Sequence, residues 1–236
     1  MNSSPRSPIV YIISAPSGSG KSTLVTKLLE RVKDLDFSIS YTTRAPRGAE
    51  QNGKQYYFVS RDEFDKMVRD EKFLEHAEFD GNCYGTARRF LREAEEKDRD
   101  LLLDIDVQGA EQIKRKVRDA VSIFILPPDR KTLEERLRKR GEDQSDVIQR
   151  RLDAAKREIE NYHKYNYILI NDKLEESSKS LQAVVQSERL RRAEKRLSAE
   201  EKKIVDTADR YRLANVRDRI LRILTSFGVP APPAGL

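Results

Sequence analysis

Eight residues near the start of the chain have the types and spacing of a phosphate-binding loop. They are Ala15, Pro16, Ser17, Gly18, Ser19, Gly20, Lys21 and Ser22. The loop follows an apolar run at residues 9–13 and precedes a helical pattern at residues 23–33. In such a unit, backbone N–H groups and the positive end of the helix surround polyphosphate oxygens. Lys21 would reach the β- and γ-phosphates, and the Ser22 hydroxyl would bind Mg²⁺. The loop predicts binding of a nucleoside triphosphate, with a plain connecting turn as the alternative.

Two carboxylates follow the apolar run at residues 101–103. Asp104 and Asp106 alternate with Ile105, so both side chains face one side if the chain stays extended. Parallel sheets bind ligands beyond the carboxyl ends of their strands, where an acid would lie near the metal and the loop lysine. The alternative is that these acids cap the helix predicted from Gln108 onward. The phosphate-binding loop favours the functional interpretation.

Two arginines flank Pro46 in a polar, turn-rich loop at residues 44–54. The spacing of Arg44 and Arg47 would let both guanidinium groups converge on one phosphate, since the planar fork of arginine makes paired hydrogen bonds to oxygen. Arginines on a solvated surface are the alternative.

Five more arginines lie on two helical segments joined by residues 141–144. They are Arg136, Arg138, Arg140, Arg150 and Arg151. A charged helical hairpin with a glycine hinge is typical of a closing lid. Phosphoryl transfer depends on positive charge placed around the moving phosphoryl group. A solvated helix face is the alternative, and we expect it to hold for Arg138 and Arg150.

The apolar pattern indicates which elements position these residues. Strand-like runs occur at residues 9–13, 37–41, 101–105, 121–126 and 167–170, and helical patterns at residues 23–33, 108–116, 131–140 and 147–162. Strands that alternate with helices indicate an α/β fold with a parallel sheet covered on both faces. Residues 42–90 break this alternation with short β-like pieces and one helix at residues 62–69. We interpret that part as a small mixed β subdomain inserted into the parallel core.

Composition excludes several classes of protein. The chain has 236 residues, of which 37% are hydrophobic, and this suits one α/β domain with a real core. A single cysteine, Cys83, and two histidines allow neither an internal disulfide nor a zinc cluster. We expect a reducing, cytoplasmic setting. No apolar run reaches the length of a membrane span, and residues 1–8 lack the apolar core of a signal peptide.

The basic character of the chain is concentrated near its C-terminus. Residues 187–236 hold 12 Lys/Arg and 7 Asp/Glu, a net +5 of the total +6. Apolar residues recur there with helical spacing at Leu190, Leu197, Ile204 and Tyr211, and again at Leu213, Val216, Ile220, Ile223 and Phe227. The pattern predicts one or two amphipathic helices packed on the core or on a second copy of the chain. A nucleic-acid or other partner is the alternative.

Eight segments, in sequence order across about residues 8–190, resemble the guanylate kinase family. They are APSGSGKST at 15–23, SYTTRAPR at 40–47, NGKQYYF at 52–58, FLE at 73–75, GNCYGT at 81–86, LDIDVQG at 103–109, ILPP at 125–128 and IND at 170–172. One departure is Ala15, where the loop pattern usually has glycine. The loop can still close if the φ of Ala15 is negative.

The resemblance implies an architecture and a reaction. The architecture is a P-loop NTP-binding core at residues 9–41 and 87–190, an inserted mixed β GMP-binding subdomain at residues 42–86 and a helical lid at about residues 136–155. Residues 1–8 would be a flexible N-terminus, and residues 191–236 a basic helical C-terminal extension. The implied reaction is Mg²⁺-dependent transfer of the γ-phosphoryl group of ATP to GMP, giving ADP and GDP, in purine nucleotide recycling and GTP/dGTP supply. Some use of dGMP is expected.

The resemblance also assigns roles to single residues. It implies that ATP is bound by the loop of residues 15–22 with Arg136, Asn171 and Asp172. It implies that GMP is bound through its phosphate by Arg44, Arg47, Tyr56 and Tyr84, through its base by Ser40, Glu75 and Thr86, and also by Asp104 and Asp106. The catalytic residues would be Lys21, Arg44, Arg140 and Arg151, and Ser22 would bind the metal. Since Glu75 accepts hydrogen bonds when ionised, it suits the N1–H and 2-amino donors of guanine and rejects adenine.

Three other interpretations stay open at this stage. A non-catalytic peptide-binding module of the same fold would be unaffected by Lys21→Ala, whereas an enzyme would lose turnover. A kinase for a sugar phosphate would not need Glu75, Ser40 and Thr86. A nucleic-acid binder would lose its salt-dependent binding on deletion of residues 193–236. We expect no membrane partner. Association of two copies through the C-terminal helices stays open.

Overall fold

A computed structural model describes residues 7–79, 81–139 and 145–230. The strands are β1 (Val10–Ser14), β2 (Leu35–Ser38), β3 (Tyr41–Thr42), β4 (Tyr57–Phe58), β5 (Phe73–Phe79), β6 (Asn82–Ala87), β7 (Asp100–Asp104), β8 (Val121–Leu126) and β9 (Tyr167–Ile170). The helices are α1 (Lys21–Arg31), α2 (Arg61–Arg69), α3 (Arg88–Glu96), α4 (Val107–Lys116), α5 (Arg130–Lys139), α6 (Ser145–Ile159), α7 (Leu174–Arg192), α8 (Ala199–Asp209) and α9 (Leu213–Ser226).

Five strands form a parallel sheet in the order β2-β7-β1-β8-β9. β2 pairs with β7 from Leu35 opposite Asp100, and β8 pairs with β9 from Ile123 opposite Tyr167, both in parallel. Every residue of β1 and of β8 is buried. Strands covered on both faces have near-continuous apolar sequences, which explains the runs visible in the sequence. The predicted α/β fold with a parallel sheet is confirmed.

A second, mixed sheet has the order β4-β3-β6-β5. β3 runs parallel to β4 and antiparallel to β6, and β5 and β6 form an antiparallel pair with a register shift between Phe73 and Glu75. Its apolar core consists of Phe64, Phe73, Cys83 and Ala87. Cys83 is therefore a small buried core residue with a free thiol.

One predicted strand is wrong. Residues 37–41 form parts of two strands, because β2 ends at Ser38 in the parallel sheet and β3 begins at Tyr41 in the mixed sheet. Phe37 pairs with Leu102, whereas Tyr41 pairs with Tyr57 and Gly85. An apolar run in the sequence does not encode a change of pairing partner.

Helix boundaries also differ from the sequence patterns. The helix predicted at residues 147–162 ends at Ile159 and is followed by a short 3-10 helix at Tyr162–Lys164. Two helices, α3 and α7, were not predicted. The predicted helix at residues 131–140 corresponds to α5, whose described part ends at Lys139.

By the density of its internal contacts the chain divides into two compact units. One contains Met1–Ile12 and Lys33–Val121, and the other contains Ile13–Val32 and Ser122–Leu236. The first includes the mixed sheet, and the second includes the phosphate-binding loop and helices α5 to α9. Within the described residues, no helix is both long and apolar enough to cross a membrane.

The C-terminal extension folds as α8 and α9 on its own unit. Val216, Ile220, Ile223 and Phe227, predicted as an apolar stripe, are all buried. These residues therefore pack within the chain, and association with a second copy stays a prediction. The weaker stripe that starts at Leu190 is interrupted, since α7 ends at Arg192 and α8 begins at Ala199.

Candidate active site

The predicted phosphate-binding loop connects β1 to α1. Gly18 and Gly20 have φ values of 88° and 85°, in the left-handed region that favours glycine. Ala15 does not have a positive φ, so it fits the loop as expected. The first turn of α1 has neither a side-chain cap nor an acidic residue. The N–H groups at this helix end are therefore available for an anion.

Helix α5 packs closely on the loop. A Cβ on Gly18 would lie 2.9 Å from Leu133 Cδ1 and 3.0 Å from Leu137 Cδ2. Both leucines are fully or almost fully buried. Gly18 is thus required for space as well as for its backbone conformation, and the loop is fixed against the helix that carries Arg136.

Asn171 holds the loop from the carboxyl end of β9. Its Nδ2 donates a hydrogen bond to the Ser19 carbonyl oxygen at 2.7 Å, and a Cβ on Gly20 would lie only 2.3 Å from that nitrogen. The carbonyl oxygen of Asn171 accepts a hydrogen bond from Arg136 Nη2 at 3.0 Å. Asn171 therefore connects the loop to Arg136, whereas Asp172 is exposed.

Within the part of the chain that the structure describes, one buried polar atom of the loop and one of α5 have no hydrogen-bond partner. They are Ser19 Oγ and Arg136 Nη1. A buried donor without a partner carries a free-energy cost of a few kcal/mol, about 1–3. A polyphosphate oxygen is the acceptor that would satisfy the guanidinium group.

The other arginines of the α5–α6 region differ in their surroundings. Arg138 and Arg150 lie on exposed helix faces and form i,i+4 pairs with Glu134 and Asp146, as the alternative interpretation expected. Arg151 lies half-buried on α6. Arg140 lies outside the described residues.

Glu75 and Thr86 face each other across the β5–β6 pair of the other unit. Both are buried, with 3% and 0% of their surface exposed, and Glu75 Oε1 accepts a hydrogen bond from Thr86 Oγ1 at 2.6 Å. Ser40 lies just before β3, and its carbonyl oxygen accepts a hydrogen bond from Tyr57 N at 2.9 Å. The predicted base-binding residues thus include a coupled, buried pair.

The environment of Glu75 shifts its protonation equilibrium. Burial raises the pKa of the Glu75 carboxyl to about 7, and the negative charge of Asp106 acts in the same direction. The hydrogen bond from Thr86 and the charge of Lys116 lower the pKa but do not offset the burial. A carboxyl whose pKa is raised to near neutral pH by desolvation is typical of a functional site.

Arg44, Tyr56 and Tyr84 come together in the same unit. The Arg44 guanidinium carbon lies 5.2 Å from the centre of the Tyr56 ring, whose centre is 6.0 Å from that of Tyr84. Burial lowers the pKa of Arg44, but hydrogen bonds and charge from Glu50 and Tyr84 outweigh this effect and raise it. Arg47 is exposed and makes a backbone contact in this loop.

Glu50 is a residue of this site that the sequence interpretation missed. Its carboxylate accepts hydrogen bonds from Arg44 Nη2 at 3.0 and 2.9 Å and from the Arg47 backbone N–H at 2.8 Å. It orients the arginine fork and closes the loop. The available signal was an acid three residues after Arg47 in a turn-rich segment, which is too weak to single out one residue.

The two carboxylates after β7 take different positions. Asp104 is the last residue of β7, and Asp106 caps α4, with Oδ1 accepting a hydrogen bond from Gly109 N at 2.8 Å. The capping alternative is therefore confirmed for Asp106. The charge of Asp106 also raises the pKa of Glu75.

Comparisons with known proteins show which family the chain belongs to. A family model described as guanylate kinase matches residues 7–188. The guanylate kinase of Koribacter versatilis is 53% identical over 221 residues, covering 92% of this chain and 95% of its own length. That of Nitrosospira multiformis is 48% identical over 184 residues, covering 78% and 88%.

A solved structure gives the same result. The crystal structure of guanylate kinase from Anaplasma phagocytophilum superposes with a TM-score of 0.65 at 35% identity, covering 77% of this chain and 86% of that one. The Koribacter alignment covers more of this chain than the family model does, and so extends into the C-terminal helices. On these matches, and with the phosphate-binding loop and the Glu75–Thr86 pair in place, the chain belongs to the guanylate kinase family.

Proposed function

We propose that this chain transfers the γ-phosphoryl group of ATP to GMP or dGMP, giving ADP and GDP or dGDP. The observation that carries the proposal is the buried carboxylate of Glu75 paired with Thr86. When ionised, Glu75 accepts from the N1–H and 2-amino groups of guanine, whereas adenine presents an acceptor at N1. A buried site rejects a base that leaves its polar groups unpaired.

On the donor side, the loop of residues 15–22 binds the ATP phosphates in this proposal. Two observations on the described residues support this assignment: α1 begins without a side-chain cap, and Arg136 Nη1 has no hydrogen-bond partner among them. Lys21 neutralises charge on the β- and γ-phosphates, and Arg140 and Arg151 stabilise the moving phosphoryl group. No general base is needed, because the attacking oxygen of a nucleoside monophosphate is already anionic.

On the acceptor side, the GMP phosphate is bound in this proposal by Arg44, Arg47, Tyr56 and Tyr84. The hydrogen bonds from Arg44 Nη2 to both carboxylate oxygens of Glu50 support it, since a guanidinium group already oriented by a carboxylate loses less conformational entropy on binding. Ser40, Asp104 and Asp106 complete the acceptor site. Residues 42–86 form the acceptor-binding subdomain in this proposal, and residues 136–155 the lid.

The proposal includes Mg²⁺ bound together with ATP, with the Ser22 hydroxyl as its protein ligand. Within the described ranges, no group of three or more His, Cys, Asp or Glu residues could hold a metal ion. This fits Mg²⁺, which is commonly held by one or two protein oxygens together with nucleotide phosphates and water. The ion would neutralise charge on the phosphates. We further propose a cytoplasmic role in purine nucleotide recycling and GTP/dGTP supply.

The test is ADP production from ATP and Mg²⁺ with GMP, dGMP, AMP, UMP, CMP and a sugar bisphosphate as acceptors. Turnover confined to GMP and dGMP, and abolished by EDTA, is the expected result. Turnover with the sugar phosphate, or with no acceptor at all from folded protein, contradicts the proposal. Lys21→Ala serves as the control for contaminating kinase.

A further inference from the structure

One face of α4 holds the middle of β5. The face consists of three residues with helical spacing: Gly109, Gln112 and Lys116. Gln112 pairs with the backbone of His76 in both directions, since its Nε2 donates to the His76 carbonyl at 2.7 Å and its Oε1 accepts from the His76 N–H at 3.3 Å. Lys116 Nζ donates to the carbonyl oxygen of Leu74. The backbone is therefore fixed from α4 on both sides of Glu75.

Gly109 lies directly against the Glu75 carboxylate. A Cβ at this position would be 2.6 Å from Glu75 Oε2 and 3.0 Å from its Cδ. The other oxygen, Oε1, accepts the Thr86 hydroxyl. The carboxylate thus lies between a hydroxyl donor and a bare stretch of helix backbone. Any side chain at residue 109 would displace it.

The same helix supplies the charges that act on Glu75. Asp106, at the start of α4, disfavours the ionised carboxylate, and Lys116, at its end, favours it. Thr86, on β6, also favours the ionised form through its hydrogen bonds to Glu75. Both the position and the charge of the carboxylate therefore depend on α4.

We propose that the Gly109–Gln112–Lys116 face of α4 sets the selectivity for guanine by fixing the carboxylate of Glu75. The inference rests on the proposed function, in which Glu75 binds the base. None of the three is assigned a contact with the nucleotide, so they are positioning residues. Paired hydrogen bonds in a buried site require the acceptor to be held within about 0.5 Å of its productive position.

Gly109→Ala is the most selective perturbation. Alanine is the better helix former, and the atom it meets is the end of a side chain, so the fold should tolerate the change. Gln112→Ala removes the contacts to His76 instead, and serves as a second variant. Arg115→Ala is the matched control, since its side chain on the same helix is 74% exposed.

Steady-state kinetics of the full-length variants with GMP and with IMP test the proposal. IMP lacks the 2-amino group and so measures how much the carboxylate contributes. For Gly109→Ala and Gln112→Ala, we expect the KM for GMP to rise about tenfold or more, from the weakening of one charge-assisted hydrogen bond. The preference for GMP over IMP should fall with it, while kcat changes less and the KM for ATP stays within about twofold. Arg115→Ala should match wild type.

Lys116 gives an independent readout through pH. In wild type, the KM for GMP should rise as the pH is lowered and Glu75 becomes protonated. Lys116→Met removes a positive charge that favours ionised Glu75, so in this variant the rise should begin at a higher pH. Lys116→Arg keeps the charge and should restore the wild-type profile. Variants at residues 109 and 112 that keep the wild-type GMP:IMP preference overturn the inference. A wild-type protein without GMP turnover refutes the proposed function instead.

Discussion

Replacing the buried carboxyl of Glu75 by an amide should change stability and activity in opposite directions. The pKa of Glu75 is raised by burial from 4.5 to about 7. The folded protein therefore binds more protons than the unfolded chain between these two values, and its free energy of unfolding falls as the pH rises through that window. The difference between 4.5 and about 7 corresponds to about 3 kcal/mol. The amide of Glu75→Gln does not titrate, so the variant should not show this decrease in the free energy of unfolding.

Urea unfolding of wild type and Glu75→Gln at pH 5 and pH 8 measures the effect. The free energy of unfolding of the variant, relative to wild type, should increase by up to about 3 kcal/mol from pH 5 to pH 8. All other titrating groups are common to both proteins and cancel. Glu78→Gln, at a side chain on the same strand that is 56% exposed, is the matched substitution outside the buried site and is measured alongside.

Catalytic efficiency should decrease in the same variant. An amide offers one acceptor oxygen where the carboxylate offers two, so kcat/KM for GMP should fall about 10- to 100-fold in Glu75→Gln. In wild type, the KM for GMP should decrease from pH 6 to pH 8 as the carboxyl ionises. Equal pH dependence of stability in both proteins would refute the argument from burial. Unchanged GMP kinetics would refute the assignment of Glu75 to the base.

Three further predictions concern the unit that contains the phosphate-binding loop. Lys21→Ala should lower kcat/KM by about 1000-fold or more in the coupled assay, and residual activity near wild type would contradict its role. Asn171→Ala removes the hydrogen bond to the Ser19 carbonyl, so the KM for ATP should rise about tenfold while that for GMP stays constant. Arg212→Ala removes a cation 4.9 Å from the Tyr167 ring centre and should lower the free energy of unfolding by about 1–2 kcal/mol in urea, with kcat unchanged. An unaltered urea midpoint would show that this contact contributes nothing.

The phosphate-binding loop could be predicted because its signal is local. Gly18 and Gly20 need left-handed backbone, and the sequence places them between an apolar run and a helical pattern. The strand predicted at residues 9–13 became Val10–Ser14, and the helix predicted from residue 23 starts at Lys21. Such boundaries differ by one or two residues because no single residue type determines them.

Helix α7 escaped prediction because the side chains it buries are not all apolar. Among its buried residues are four serines: Ser177, Ser178, Ser180 and Ser187. Ser177 and Ser180 donate to main-chain carbonyl oxygens, which satisfies their hydroxyls inside the protein. A search for apolar periodicity finds only helices whose buried face is apolar. It therefore misses a helix whose buried face includes small polar residues. The contact of Glu50 with Arg44 was missed for a different reason. It depends on the path of a loop, which the sequence pattern does not determine.

The C-terminal extension is best understood from the strand it covers. β9 lies at the edge of the parallel sheet, and an exposed edge leaves backbone groups unpaired. The α8–α9 junction pairs with part of this edge. Ile168 N of β9 donates to the Tyr211 carbonyl at 2.8 Å, and Leu213 N, at the start of α9, donates to the carbonyl of Asn166, just before β9, at 3.0 Å. Arg212, between these two contacts, lies over Tyr167 and pairs with Glu188.

This placement changes the meaning of the basic C-terminus. Part of its positive charge is used within the chain, as Arg191 and Arg212 both pair with Asp209 and Lys195 pairs with Glu201. A stretch that looks like a nucleic-acid-binding tail in the sequence is thus, in good part, a folded cover for an edge strand. Because β9 leads directly into Asn171, which holds the phosphate-binding loop, the extension packs on the strand that positions this residue.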